Sequence, residues 1–301
     1  MHLYVAGFNA WRQLEFLPVE NPTDEPDDIA SFRKVLSDKF IEVRYASLTY
    51  TIVNTSAGLK CAGFVDEDIE NVLKQQLLSS TAAVAGNGLI ATYDGHGTIT
   101  QHAPQLGPTQ AERKIFSGMH DIIQLVAYET GFVALSLDGK VWTWGDERYS
   151  ATLGRETTIH TPAESPGCVE DLEDLPSGKI KKIAAAGYMV LALTEGHDLY
   201  AWGGHPAHKL VLGSLSGSPS PVVVEENDIL DFSVGETHMI VLTMGGDVYT
   251  IGDNANSQLG LPLQKTAKWA KVPMSLQGEV IVGVKAGHRS SFIVTKNARL
   301  A

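Results

Sequence analysis

The sequence predicts an all-β fold, a closed β-propeller with six visible four-stranded blades and a seventh left open. Three observations predict it. A strand-and-turn pattern recurs along the chain at intervals of roughly 40 to 58 residues, which is the range of propeller blades. Each copy has glycine in its turns, and the amino-terminal segment matches the part that the last copy lacks.

The repeat is clearest in the second half of the chain. Three segments begin at Ser136, Thr194 and Thr243 and read SLDGKVWTWGDERYSATLG, TEGHDLYAWGGHPAHKLVLG and TMGGDVYTIGDNANSQLG. Gly139 and Gly246 suit the tight hairpin turns of this pattern, which require positive φ. Five aromatic residues of the strands that follow are expected to pack between blades: Trp142, Trp144, Tyr200, Trp202 and Tyr249.

The two ends of the chain complete each other. Weaker copies begin at Arg44 and Thr81, and the last copy, from Val282, stops before its third strand. Residues 3–9 (LYVAGFN) align without a gap with residues 248–254 (VYTIGDN) and so supply the missing strand. A strand contributed from the opposite end closes a ring of sheets and removes its open edges.

We therefore expect one domain, residues 1–301. Residues 1–16 would form the clasp strand, residues 17–40 an acidic loop plus a short helix, and residues 41–301 the remaining blades. The helix is predicted because apolar residues recur at helical spacing after an acidic stretch, at Ile29, Phe32, Leu36 and Phe40. The same pattern predicts a second short helix at Ile69, Val72, Leu73 and Leu77.

Composition limits the classes of partner. The chain has 35 Asp and Glu against 23 Lys and Arg, a formal net charge of -12, and such a surface repels phosphate backbones. Direct nucleic-acid binding is therefore not expected. Cys61 and Cys168 form neither a disulfide framework nor a structural zinc site. Without a signal peptide or a membrane-spanning run, we expect a soluble intracellular protein, cytoplasmic or nuclear and monomeric by itself.

Three features could indicate nucleotide binding, metal binding or catalysis, but a structural role explains each of them better. Gly86-x-Gly88 resembles a dinucleotide fingerprint, yet the helix that would face a pyrophosphate is missing, so a hairpin is expected. His205 and His208 are expected to lie on a solvated loop, away from any metal. His238 is expected to line the channel, hydrogen-bonded to backbone, and not to act as a catalytic base.

The sequence contains no Walker loop, nucleophile elbow or HExxH motif, so no catalytic residue, cofactor or metal is predicted and an enzyme is not expected. Acidic clusters occur in predicted inter-blade connections, where they would attract a basic partner surface. Two loop aromatic residues, one of them in the predicted loop 265–273, are expected to anchor that partner. The candidate partner-binding residues are Trp11, Asp66, Glu67, Asp68, Glu70, Glu170, Asp171, Glu173, Asp174 and Trp269.

The WG or IG pair after the third-strand hairpin and the NxxxQLG motif of residues 254–260 resemble the repeat of the regulator-of-chromosome-condensation superfamily. The resemblance covers residues 1–16 and about 41–301, and is strongest in the later blades. Of the family's GxxHT motif, the segment from Gly235 to His238 alone keeps the spacing. The eroded early repeats are similar to two adaptor subgroups: the propeller that partners a JmjC-type demethylase, and the fungal α-tubulin suppressor, which binds a small zinc protein.

The resemblance implies a non-catalytic scaffold that binds another protein through inter-blade loops. A demethylase, a small zinc protein and a small GTPase are the partner kinds that it implies. The alternative function is guanine-nucleotide exchange on a small GTPase. An exchange factor needs no acid or base of its own, because it has only to bind the nucleotide-free state more tightly than the loaded one.

Overall fold

A computed structural model describes residues 1–17, 26–64, 81–103, 113–207, 210–213, 215–276 and 278–298. These residues form six antiparallel sheets, and the helical segments within them are the short 3₁₀ helices Glu147–Thr152 and Glu170–Leu172. In the described ranges, no helix has the length and apolar character needed to cross a membrane. The chain divides into two compact units, Met1–Leu77 with Val224–Ala301 (unit 1) and Leu78–Val223 (unit 2).

The described ranges contain 23 strands. The first twelve are β1 (His2–Gly7), β2 (Ile29–Ser37), β3 (Ile41–Ala46), β4 (Tyr50–Thr55), β5 (Gly58–Gly63), β6 (Ala82–Val84), β7 (Ile90–Tyr93), β8 (Thr98–His102), β9 (Arg113–Ser117), β10 (Ile122–Tyr128), β11 (Gly131–Ser136) and β12 (Val141–Gly145). The others are β13 (Gly167–Cys168), β14 (Ile180–Ala186), β15 (Met189–Thr194), β16 (Leu199–Gly203), β17 (Ser220–Pro221), β18 (Ile229–Val234), β19 (His238–Thr243), β20 (Val248–Asp253), β21 (Lys265–Lys271), β22 (Glu279–Ala286) and β23 (Ser290–Asn297).

Each sheet is one copy of the repeat. Unit 2 holds the sheets β6-β7-β8-β9, β10-β11-β12-β13 and β14-β15-β16-β17, and unit 1 holds β3-β4-β5, β18-β19-β20-β21 and β2-β1-β23-β22. In five of these six sheets, neighbouring strands follow one another in the chain; the exception is the sheet β2-β1-β23-β22. The blades predicted from sequence are therefore confirmed. The sheet β3-β4-β5 has three strands within the described residues, where four were predicted.

The amino-terminal strand completes the last blade, as predicted. β1 pairs antiparallel with β23 along its whole length, from His2 opposite Thr295 to Gly7 opposite Ser290. β2 pairs with the other edge of β1, so β1 is a central strand of its sheet. The last blade therefore depends on hydrogen bonds between the two ends of the chain.

The helix predicted within residues 17–40 is wrong. Residues Ile29–Ser37 form strand β2, the outer strand of the last blade. The register between β1 and β2 shifts at two places, and such bulges interrupt the alternation of a strand. The buried residues Ile29, Val35 and Leu36 consequently lack a period of two, which explains the helix-like spacing. The second predicted helix, residues 69–77, lies outside the described residues.

Hydrophobic cores lie between successive sheets within each unit. In unit 2 the buried Trp144 stacks on Phe132 with ring centroids 5.4 Å apart, and its Nε1 donates to Gln101 Oε1 of the preceding sheet at 2.7 Å. The buried Trp202 packs against the sheet β10-β11-β12-β13, and its Nε1 donates to Thr152 O at 3.0 Å. The predicted packing role is confirmed for these two residues, because both bridge neighbouring blades.

In two copies of the repeat, the Leu-Gly pair at the end packs its glycine against an aromatic ring. Gly154 and Gly260 have φ of +67° and +65°. A Cβ atom on Gly154 would lie 2.5 Å from Trp202 Nε1, and one on Gly260 would lie 2.5 Å from the ring of Phe32. Both the conformation and the close approach therefore require glycine.

Candidate functional site

Trp11 lies in a loop that has the same internal hydrogen bonds as the loop after β20. Asn9 Oδ1 accepts from Leu14 N at 3.1 Å, and Asn254 Oδ1 accepts from Leu259 N at 2.7 Å. Both asparagine side chains are buried. Because an asparagine closes each loop from inside, the loop after β1 presents Trp11 on a fixed backbone.

Trp11 and Phe64 form an exposed aromatic pair in unit 1. Trp11 is 48% exposed and Phe64, which follows β5, is 62% exposed, and their ring centroids lie 6.1 Å apart. Trp11 N donates to Gln13 Oε1 at 2.9 Å, and Gln13 Nε2 donates to Leu48 O at 2.9 Å. The geometry suits a contact residue, and the anchoring role of Trp11 stays a prediction.

Trp269 lies on a strand and not in the predicted loop 265–273. It belongs to β21, the outer strand of its sheet, and is half-buried. The ladder between β20 and β21 shifts register after the pair Thr250 and Ala270, and Trp269 falls in that irregularity. A local bulge of this kind leaves no clear alternation in the sequence, which is why a loop was predicted.

The predicted carboxylates differ in what the structure shows of them. Asp66, Glu67, Asp68 and Glu70 lie outside the described residues. Glu170, Asp171, Glu173 and Asp174 are exposed and lie between β13 and β14, in an inter-blade connection as predicted. Burial and the hydrogen bond to Glu173 raise the pKa of the Cys168 thiol to about 12, so the thiol is neutral.

Three aromatic side chains that were not predicted as a group meet on the loops of unit 2. Ring centroids lie 4.8 Å apart for Tyr149 and Tyr188, 5.2 Å for Tyr149 and His205, and 4.3 Å for Tyr188 and His205. The three residues come from the 3₁₀ helix after β12, the β14–β15 turn and the loop after β16. All three are half-buried. We call this group the aromatic cluster.

Two carboxylates and one guanidinium act on the aromatic cluster, and the guanidinium carbon of Arg148 lies 5.8 Å from the centroid of the Tyr149 ring. Burial and a hydrogen bond to Tyr149 raise the pKa of Tyr188, and the charges of Glu129 and Asp146 raise it further. Asp146 is paired, because Arg148 Nη2 donates to its Oδ2 at 2.6 Å. Within the described ranges Glu129 has no ion pair, so the charges named here, two carboxylates and the guanidinium of Arg148, leave one negative charge.

A sequence signal for the cluster existed at Tyr188. Pairing of the second strands with the third strands places Tyr188 where the neighbouring copies have Thr130 and Thr237. An aromatic side chain in a tight turn that otherwise holds threonine indicates a surface role. His205 was expected on a solvated loop; it lies in the loop after β16, where it is half-buried and its ring stacks on Tyr149. His208 lies outside the described residues.

The dinucleotide-like glycines form a hairpin, as expected. Gly86 and Gly88 lie in the turn between β6 and β7, and Gly88 N donates to Ala85 O at 2.9 Å. A Cβ on Gly86 would lie 2.2 Å from the Glu129 carboxylate, so this glycine makes room for a neighbouring side chain. Within the described part of the chain, no three potential metal ligands lie together.

His238 is fully buried in unit 1, where its Nε2 lies 2.9 Å from Ser291 Oγ. Burial lowers the pKa of His238 from 6.5 to about 4. The imidazole is therefore neutral near neutral pH. A group closed off from solvent in this way packs the interior and does not serve as a base for an external substrate.

The depressed pKa of His238 should make stability depend on pH. The unfolded chain takes up a proton near pH 6.5 and the folded chain near pH 4, so stability is complete above 6.5 and falls as pH drops toward 4. Between pH 7.5 and 5.5 the loss should be roughly 1 kcal/mol. Urea unfolding of wild type and His238→Gln at both pH values checks this, because the variant should lose less stability on acidification. Equal losses in the two proteins would remove His238 as the cause.

These features define a class: a repeat-built β-propeller whose last blade borrows its third strand from the amino terminus. The model of the regulator of chromosome condensation (RCC1) repeat matches residues 245–294. The regulator of chromosome condensation of Mus musculus is 32% identical over 180 residues, covering 58% of this chain and 41% of that protein. Residues 245–294 therefore carry a repeat of the regulator of chromosome condensation type, and the chain is similar in sequence to proteins built from that repeat.

Other proteins are similar to this chain in sequence or in fold. The human E3 ubiquitin-protein ligase HERC2 is 25% identical over 212 residues, which is 68% of this chain and 4% of that protein. The chain spans less than half the length of these two curated relatives. Prp20p of Saccharomyces cerevisiae has a TM-score of 0.63 at 13% identity, covering 98% of this chain and 91% of Prp20p. Human WBSCR16 has a TM-score of 0.63 at 15% identity, and the match covers 99% of this chain and 100% of WBSCR16.

Proposed function

We propose that this protein is a non-catalytic interaction scaffold that binds a partner protein through its inter-blade loops. The aromatic cluster of Tyr149, Tyr188 and His205 carries this proposal. Tyrosine is enriched among the residues that contribute most of the energy at protein interfaces. Because the three rings already pack on one another, a partner would order few further side chains on binding.

Charge favours a partner with a basic surface. Glu129 is an unpaired carboxylate beside the aromatic cluster within the described ranges, and the chain as a whole carries a net charge of -12. A negative potential of this kind speeds encounter with a basic surface and discriminates against acidic ones. The proposal therefore specifies a basic contact surface on the partner.

The comparisons support a protein as the kind of partner. Prp20p, which shares the fold, has described binding properties to Gsp1p and to histones. We propose a protein partner for this chain too, of the small-GTPase, demethylase or small zinc protein kind, in the nucleus or cytoplasm. No direct binding to nucleic acid is part of the proposal.

Affinity purification of the full chain tests the scaffold function. Wild type should recover a stoichiometric partner, and Tyr188→Ala should recover roughly tenfold less, the loss typical of a central contact residue. Leu137→Ala is the matched control, because Leu137 is an apolar residue of unit 2 that is 68% exposed and lies outside the cluster. It should recover the partner like wild type.

Two outcomes would contradict the proposal. Full recovery of the partner by Tyr188→Ala, in a sample whose circular dichroism and Tm match wild type, would remove the aromatic cluster as the docking surface. Recovery of no stoichiometric partner by wild type would count against the scaffold function itself.

The exposed pair of Trp11 and Phe64 is a second proposed contact, in unit 1. Its rings are held on a fixed backbone and offer apolar surface to a partner. The same affinity purification with the variant Trp11→Ala measures whether this contact contributes to recovery of the partner. The carboxylates Asp66, Glu67, Asp68 and Glu70 remain candidates for the same partner's basic groups.

Nucleotide exchange on a small GTPase is the alternative. The 32% identity to the regulator of chromosome condensation favours it, because exchange is the alternative that the resemblance to this superfamily implies. Release of a fluorescent guanine nucleotide from a panel of small GTPases distinguishes the two functions. Acceleration by catalytic amounts of the chain would establish exchange, and a flat response would leave the scaffold function.

A further inference from the structure

The loop between β12 and β13 forms one wall of a cavity of about 1030 Å³ in unit 2. Trp142 of β12 and Glu156 of the loop line it, together with Glu170 and Asp171 of the second 3₁₀ helix. This volume lies at the upper end of the range for ligand pockets in proteins. The cavity is therefore large enough for a side chain together with its flanking residues.

Arg155 holds the wall in place. Its guanidinium donates to the carbonyl oxygens of Thr143, Thr161, Pro162 and Ser165 at 2.9 to 3.3 Å. The side chain is half-buried, and these bonds tie together both ends of the loop. Because carbonyl oxygens saturate the guanidinium, Arg155 does not pair with the carboxylates of the cavity.

The charge of the cavity is net negative. Glu156, Glu170 and Asp171 are exposed, and within the described ranges none of these carboxylates has an ion pair or a hydrogen bond from a side chain. Against them stands the single positive charge of Arg155. Such a site repels phosphates and carboxylates and attracts cations.

Trp142 adds a second feature that fits a cation. Its half-buried indole is part of the cavity wall. Ammonium and guanidinium groups are attracted to the face of an indole, and the attraction is stronger where water is partly excluded. The aliphatic stem of a lysine or arginine gains from the same apolar surface.

We propose that this cavity takes a lysine or arginine side chain carried by an extended segment of a partner protein. The inference rests on the proposed scaffold function and names the chemistry that one of its subsites recognises. The carboxylates of Glu170 and Asp171 face the cationic group, and Trp142 contacts its stem or its charged end.

A defined peptide tests the cavity without the partner. The probe is a fluorescein-labelled decapeptide that carries arginine and lysine among glycines and serines, and a second peptide has glutamine at the basic positions. Fluorescence anisotropy should show binding of the basic peptide alone. The double variant Glu170→Gln with Asp171→Asn should bind it about tenfold more weakly, since both substitutions remove charge and keep shape.

The control variant makes the same change of charge outside the cavity. Glu164→Gln with Glu195→Gln alters one residue of the same loop and one exposed residue elsewhere in unit 2, and neither lines the cavity. Its Kd should stay within about twofold of wild type, the effect of distant exposed charges. Equal weakening by both double variants would overturn the inference, and so would failure of wild type to bind the basic peptide.

These outcomes are separable from failure of the scaffold function. Tyr188 does not line the cavity, so the loss of a partner in Tyr188→Ala is measured independently. If that loss is seen while the peptide result is negative, the scaffold function stands and the cavity assignment falls.

Discussion

Replacement of Leu3 by alanine should lower the free energy of unfolding by about 3 to 4 kcal/mol. Leu3 is fully buried in β1, the central strand of the last blade, and it packs in the core shared with the sheet β3-β4-β5. The substitution leaves a cavity in a strand that two neighbours hold in place, so the site collapses little. Urea denaturation measures the change.

Leu17→Ala provides the comparison for Leu3→Ala. Leu17 lies in the same amino-terminal segment but is 67% exposed, and its truncation should change stability by less than about 0.5 kcal/mol. A loss below about 1 kcal/mol for Leu3→Ala would mean that β1 contributes little to the core, and the importance assigned to the clasp strand would then be wrong.

Gly154→Ala should destabilise the protein by about 3 kcal/mol, from a strained positive φ and from overpacking. The φ of Gly154 is +67°, and its added Cβ would lie 2.5 Å from Trp202 Nε1 and 2.8 Å from Trp202 Cδ1. The fully buried indole has no room to move away, since its Nε1 is bonded to Thr152 O. Thermal denaturation followed by circular dichroism reports the loss.

Substitutions at two other glycines separate the effect of the positive φ from the effect of overpacking. Gly187 has a φ of +56° with open space around its Cβ position, so Gly187→Ala should cost about 1 kcal/mol from the backbone alone. Gly213 ends the corresponding Leu-Gly pair of the next copy, with open space and no positive φ, and Gly213→Ala should be neutral. If Gly154→Ala is no worse than Gly187→Ala, the contact with Trp202 is not a constraint.

Much of the fold was predictable because short stretches of sequence, with their turn glycines and alternating apolar residues, define the repeat. The clasp followed from the alignment of residues 3–9 with residues 248–254, and the hydrogen bonds of Asn9 and Asn254 show why the loop residues recur as well. The inner three strands of each blade carry the glycine turns and the alternating apolar residues. Such patterns reflect short-range constraints, which a single sequence displays.

The outer strands were not predictable in the same way. β13 and β17 have two residues each, which is too short for a pattern, and the alternation of β2 is interrupted by register shifts. An outer strand is defined by the edge it pairs with, and that edge can lie far away in sequence. The helix expected at Ile29 and the loop expected at Trp269 both failed for this reason.

The candidate site was predicted in part. The sequence indicated Trp11 as an exposed residue and Glu170 as part of a charged connection, because loop position and charge are visible in one segment. The aromatic cluster was missed because Tyr149, Tyr188 and His205 come from three separate loops. Their meeting is a property of the packed blades, and composition alone does not show it.

The pairing of β1 with β23 has a consequence for synthesis on the ribosome. Residues 78–223 are one continuous stretch, so all three sheets of that unit have their strands as soon as the stretch has emerged. β1 emerges first yet waits for β23, nearly the whole chain later, and closing so long a loop costs entropy. Even when β2 pairs with one edge of β1, the other edge stays open for most of translation, and a chaperone that shields that edge would protect the protein from aggregation.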